Sequence, residues 1–375
     1  MRWRTWTVLI AMVASGAATA VAQKAGGSRG PVPTEKGGGD VTGPYEVVEN
    51  WPVPLHTDYT WGRIPAVWAQ TPNKVYVLQS NELPALKKTI GTGGVPIRAA
   101  EDGPGPGDKG NKEGERFEHL MMIFDANGKL LDSWEHQNAL FSHSHRIAVD
   151  PRDPDMHIWV ADNRNHQVLK FSNDGKTLVL AIGEARVAKH DEAHLGSPSD
   201  LAFMANSDVV ITDPGNGRVV RFTKDGKYVS EFGTRGTGPG QFGGNLHGIS
   251  VDARQRIYVA DRGNSRVQVF DASGKVLDVW PNIKFPCFIG ISKDQYAWVV
   301  DGLTNKILKY DLDGHLLYSW GTFGGEPGEL FGPHHLSTDS DGNLFVTEVW
   351  NGRIQKFRPR KGADPSRLVG QLFWK

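Results

Sequence analysis

Short apolar runs separated by turn residues recur along most of the chain, in copies of one arrangement. An aromatic residue ends a run and a glycine follows four positions later: Phe124 and Gly128, Phe171 and Gly175, Phe222 and Gly226, Phe270 and Gly274, Tyr310 and Gly314. The residue before each glycine is Asn127, Asp174, Asp225, Ser273 or Asp313. Asn-Gly and Asp-Gly tolerate the positive φ that tight hairpins demand, so each glycine predicts a turn between two strands. Six or seven residues further on, Trp134, Ile182, Phe232, Trp280 or Trp320 closes the next strand.

A second signature lies upstream in each unit. Asp162-x-x-Asn165, Asp213-x-x-Asn216 and Asp261-x-x-Asn264 follow apolar runs, with Asp301-x-x-Thr304 and Glu348-x-x-Asn351 as variants. Each stands six residues before Val168, Val219, Val267, Ile307 or Ile354. That constancy predicts a fixed loop between the second and third strands of every unit, with the carboxylate capping backbone N–H groups. The turn glycines are spaced 47, 51, 48 and 40 residues apart by subtraction, a period of propeller blades. The fold expected is therefore all-β, a six-bladed β-propeller over 45–375, with blades at 53–136, 137–183, 194–233, 240–281, 282–321 and 327–359. Either 45–51 or 367–373 can supply the strand that closes the last sheet. The first blade carries an insertion over 80–116 whose Gly-Pro-charge sequence is too polar for a domain and reads as a lid or a disordered loop.

Composition agrees and narrows the partners. The 45 Gly, 22 Pro and 12 Trp suit a turn-rich β protein rather than a helical bundle. The 42 basic residues balance the 42 acidic ones, so the electrostatic footprint of a nucleic-acid binder is missing. One cysteine, Cys287, excludes an internal disulfide framework. At the N-terminus Arg2 and Arg4 precede the apolar run Trp6–Ala14, and Ala20-Val21-Ala22 precedes Gln23. This predicts a signal peptide over 1–22 and export to a periplasm or the cell exterior. The run is shorter than the roughly 20 residues of a membrane span, and residues 23–44 hold almost nothing to bury, which predicts a disordered linker. A monomer is expected.

The informative positions face the channel, which the first strand of every blade lines. Counting back fourteen residues from each acidic marker, and allowing for a Pro-Asp-Met insertion in the second blade, gives Pro65, His145, Ser199, His247, Cys287 and His334 in blade order. Histidines therefore fall in blades two, four and six, and converge on the axis about 120° apart. Three neutral imidazoles with an open position form the arrangement of a catalytic Zn²⁺ site. Singly, each is better read as an ordinary core or rim residue, but the shared threefold phase favours a metal set. Cys287, in the same ring, reads as a small buried hydrophobe rather than a fourth ligand. His143 and His335 flank the trio and read as supporting or surface groups.

Three segments carry a family resemblance: 141–150, Asn245-Leu-His247-Gly, and Gly332-Pro-His334-His335. With the six-bladed plan, they resemble the NHL-repeat propellers related to peptidyl-α-hydroxyglycine α-amidating lyase. The resemblance implies zinc on His145, His247 and His334. It also implies a catalytic, substrate-contacting role for Arg262 in Ala260-Asp261-Arg262-Gly-Asn264, a guanidinium suited to gripping a carboxylate. Three departures follow. The family's third-blade tyrosine base is missing from Asp213-Pro-Gly-Asn216, its first-blade arginine is replaced around Gln79-Ser80, and its calcium-ligating aspartate is His335. Ca²⁺ is thus a weaker expectation than Zn²⁺. Two functions stay open: an exported metal-dependent lyase acting on a small-molecule or peptide substrate, and a non-catalytic propeller binding peptides or glycans.

Overall fold

Alternating apolar positions bounded by turn residues pair best as antiparallel hairpins, and four successive hairpin-linked strands make the second to fifth units. A computed structural model describes residues 40–84 and 115–372. The expected signal peptide, residues 23–39 of the expected linker and most of the insertion lie outside the described residues. Six four-stranded antiparallel sheets hold nearly all the regular structure. Their first strands are Ala66–Thr71, Ser144–Ala148, Asp200–Phe203, Leu246–Val251, Pro286–Ile291 and Pro333–Thr338. Each touches the first strand of the next sheet and the sixth touches the first, so the six-bladed propeller closes.

The turn glycines do two jobs. Gly175 and Gly314 sit at φ of 72° and 83°, a region that β-carbon sterics deny most residues. Each also lies under a tryptophan of the preceding blade: an added Cβ would stand 2.1 Å from Trp134 Cε2 at Gly175, and 2.4 Å from Trp280 Nε1 at Gly314. The outer tryptophans Trp134, Trp280 and Trp320 are fully buried, and they wedge neighbouring sheets together.

The acidic markers behave as loop clamps. Asp162 accepts from the backbone N–H groups of Ser142, His143 and Asn165, and Asp301 from those of Lys284, Phe285, Leu303 and Thr304. A carboxylate at the end of the second strand thereby fixes the chain that leads into the first strand, where the ring position lies. Asp213, Asp261 and Glu348 add ion pairs to Arg218, Arg266 and Arg353. Burial still pushes the Asp213 and Glu348 carboxyls above their ordinary values, the desolvation cost these pairs offset.

The ring is closed from the N-terminal side. Tyr45–Val48 pairs with the strand Arg353–Pro359, from Tyr45 opposite Pro359 to Val48 opposite Lys356. The segment near 367, the other candidate, forms no strand among the described residues. It crosses the far face, where Val369 N–H donates to Tyr45 Oη and Lys293 N–H to the Gln371 carbonyl.

Candidate metal centre

The histidine positions sit at bulges. In the second, fourth and sixth sheets pairing slips between Ser144 and Arg146, Leu246 and Ile249, and Pro333 and His335. Each slip leaves an extra residue unpaired, and a bulge re-aims the side chain it carries. His145, His247 and His334 turn toward the axis there. Their ring centroids form a near-equilateral triangle of 4.6, 4.9 and 4.8 Å, with planes 74° to 83° apart. One nitrogen from each lies within 4.8 Å of the others.

A hydrogen-bond rule repeated three times orients the rings. Nδ1 of His145 bonds the carbonyl of Ser199 at 2.7 Å, Nδ1 of His247 that of Cys287 at 2.5 Å, and Nδ1 of His334 that of Pro65 at 2.7 Å. A carbonyl only accepts, so each Nδ1 carries the proton and each Nε2 presents a lone pair. His247 Nε2 and His334 Nε2 face each other at 3.3 Å. Two lone pairs at that separation repel unless a cation lies between them. A proton is a poor candidate, because burial and then neighbouring positive charge, Arg262 included, hold His334 down at about 3. The same causes, burial first, depress His145 and His247. Three neutral, orientation-locked imidazoles fit a tetrahedral transition ion with one position open.

The open side faces a cleft of about 290 Å³ lined by Arg63, His143, Arg262, Phe285 and Trp350 among others. A second lobe of about 270 Å³ shares His145, Asn163, His247 and Arg262 with it. Arg262 opens a 3₁₀ turn just after its marker Asp261. Its Nη2 donates to Asn245 Oδ1 at 2.5 Å, its guanidinium lies 4.3 Å from the Phe285 ring centre, and its Nε has no protein partner. His143 donates from Nδ1 to Asn163 Oδ1 at 2.6 Å and borders the same cleft, so it is not a mere surface group. An aromatic shelf leads outward from Phe285 through Trp350 and Phe331 to Phe323, with centroid steps of 6.2, 5.7 and 5.2 Å.

The remaining ring positions also take definite roles. Cys287 is buried, and burial raises its thiol; its carbonyl accepts from His247 and its Sγ from Arg262 Nη1 at 3.6 Å. His335 is buried against Phe288, with a centroid distance of 4.5 Å, rather than exposed. Beside it Arg146 pairs with Asp200. A guanidinium and an imidazole do not suit Ca²⁺, which takes oxygen ligands. Sequence reasoning missed Arg63: the first blade does bring an arginine to the cleft, from the loop before Pro65 rather than from Gln79-Ser80. The Trp61-Gly-Arg63 segment two residues before the ring position was the available signal.

A family model described as a 6-bladed beta-propeller matches residues 189–311. NHL repeat-containing protein 3 of Homo sapiens is 25% identical over 276 residues, covering 68% of this chain and 77% of that protein. Peptidyl-alpha-hydroxyglycine alpha-amidating lyase 1 of Drosophila melanogaster is 25% identical over 279 residues; the match covers 66% of this chain but only 50% of that protein. A solved structure of a protein of unknown function from Bacteroides thetaiotaomicron superposes with a TM-score of 0.50 at 14% identity, covering 85% of this chain and 73% of that one. That likeness is one of fold. The chain is a six-bladed propeller whose homologues at low identity include NHL-repeat and amidating-lyase proteins.

Proposed function

We propose that the protein is an exported, metal-dependent lyase of the peptidyl-α-hydroxyglycine type, acting on N-acylated α-hydroxyglycine or a close analogue. The observation that carries the reading is the threefold Nδ1–H to carbonyl pattern, which leaves three Nε2 lone pairs aimed at one point. His145, His247 and His334 would hold a Zn²⁺-class ion through those atoms. When bound, such an ion supplies a Lewis acid toward a hydroxyl or carbonyl oxygen.

The chain's own residues do the rest. Arg262, with Arg63 across the cleft, binds the substrate carboxylate. His143 replaces the missing tyrosine: with its proton fixed on Nδ1 by Asn163, Nε2 takes the hydroxyl proton. The C–N bond then breaks with its electron pair going to nitrogen, and His143 returns the proton there. The products are a primary amide and glyoxylate. The aromatic shelf covers the flanking residue and excludes water from one side.

The test is to purify the chain without added ions, measure its metal, and assay glyoxylate release from an N-acyl-α-hydroxyglycine. Stoichiometric transition metal with release that is lost in His247→Ala is expected. A metal-free protein, or a metal-bound one that releases no glyoxylate, overturns the lyase reading in favour of a binding propeller.

A further inference from the structure

The neck of the first-blade insertion carries a second concentration of ligand atoms that shares no residue with the channel. The short strand Tyr59–Trp61 pairs with Glu82–Pro84, Trp61 standing opposite Glu82. The chain returns to this point at Arg116, which exchanges backbone hydrogen bonds with Glu82. Three segments thus meet here: the loop carrying His56, the outgoing strand with Glu82, and the return carrying Arg116, Glu118 and His119.

Glu82 is fully buried, and its two oxygens are used differently. Oε2 accepts from Arg116 Nε at 2.8 Å. Oε1 faces two imidazoles, His119 Nδ1 at 3.0 Å and His56 Nε2 at 3.7 Å. The first distance is a hydrogen bond and the second is too long for one. His56 Nε2 is shut off from solvent and has no partner, a state that buried polar atoms seldom occupy. Glu118 completes a set of four ligand atoms within 4.8 Å of one another. Among the described residues Glu118 lies 3.8 Å from Arg116 Nη1 and Glu135 3.6 Å from His119 Nε2, so further carboxylate oxygens border the imidazoles.

We infer that His56, Glu82, Glu118 and His119 form a second, closed metal site for a divalent transition ion, which clasps the insertion's neck to the chain ahead of the first blade's innermost strand. Two imidazoles and two carboxylates suit a tetrahedral Zn²⁺-class ion with ligands at roughly 2.0–2.2 Å, and the four ligand atoms, already within 4.8 Å of one another, draw in around it. Binding displaces the proton that His119 Nδ1 shares with Glu82 and gives His56 Nε2 a partner. Arg116 remains on Oε2 and holds the carboxylate in place. With all four positions filled by protein, the site is structural and offers no place for substrate.

The experiment strips the full chain with a chelator, reloads it with ZnCl₂ and counts zinc by elemental analysis after gel filtration. Two zinc ions per wild-type chain, one in His56→Gln, one in His247→Ala and none in the double variant are expected. Zinc lost in His56→Gln but not in His247→Ala supports this site while removing the channel metal. An unchanged count in His56→Gln, or a single wild-type zinc that His247→Ala abolishes, overturns the site. Should His56→Gln fold poorly by circular dichroism, Co²⁺ loaded into His247→Ala decides: tetrahedral visible absorption supports the neck site, and a spectrum of free hexaaqua ion refutes it.

Discussion

Even and odd blades solve different problems at the same place in the repeat. Blades two, four and six present His145, His247 and His334, while blades three, five and one present Ser199, Cys287 and Pro65. The even blades contribute side chains and the odd blades contribute carbonyl oxygens, each accepting the Nδ1–H of the preceding blade's histidine. For this one contact residue identity is demanding in one half of the ring and free in the other, because any residue brings a carbonyl but only an imidazole brings a buried neutral lone pair. A serine, a cysteine and a proline perform one task.

The largest effect expected is on metal and turnover. His145→Ala, His247→Ala and His334→Ala should each abolish channel metal and lower glyoxylate release more than about 100-fold, beyond the 10–100-fold typical of losing a supporting group. Elemental analysis and a glyoxylate assay check this, and any one variant that keeps its metal breaks the equivalence of the even blades. Stability should ignore blade parity. Trp134→Ala in the first blade and Trp280→Ala in the fourth should each cost about 3–5 kcal/mol in urea unfolding, since both tryptophans wedge adjacent sheets.

Acid separates the two halves again. His334 is held at about 3 when folded, against an ordinary 6.5. The unfolded chain therefore binds a proton that the native chain refuses, and the loss from this group begins as pH drops below about 6.5 and grows toward 3. For the metal-free protein the difference in unfolding free energy between wild type and His334→Gln should change by up to about 1.4 kcal/mol per pH unit in that window. A constant difference between pH 7.5 and 5 would contradict the buried, neutral assignment. Smaller still, Arg262→Lys should raise KM about tenfold with kcat less affected, because a bidentate grip is lost while charge is kept. Smallest is Cys287→Ala: because His247 is met by the Cys287 carbonyl and the Sγ meets Arg262, zinc affinity should stay within about threefold, and a larger loss would assign the thiol a part.

The repeats were readable because their cues are local. Asp225-Gly226 and Asp313-Gly314 specify turns through backbone sterics, and Asp213, Asp261 and Glu348 mark strand ends at constant spacing, so blade number and histidine phase followed. Ring closure was not readable. Residues 45–51 and 367–373 carry similar strand-like patterns, and only packing of Tyr45 beneath Trp320 and Phe357 favours the first. Arg63 and His143 each stand two residues before a ring position, but nothing in the sequence marks that offset as facing the cleft, and His56, Glu82 and His119 lie around the first-blade insertion, outside the repeat, where spacing carries no phase.

The sequence by itself determined that three imidazoles share one blade position, because a repeated strand-turn unit forces equivalent residues to equivalent places about an axis. Only the tertiary structure decided what those imidazoles can do. Which nitrogen bears the proton depends on carbonyls lying 54, 40 and 269 residues away along the chain, and which way each ring points depends on a bulge in the pairing with the neighbouring strand. Hydrogen bonds between blades have no signature in local sequence, since every residue offers the same backbone oxygen and only the closed ring selects which one is near.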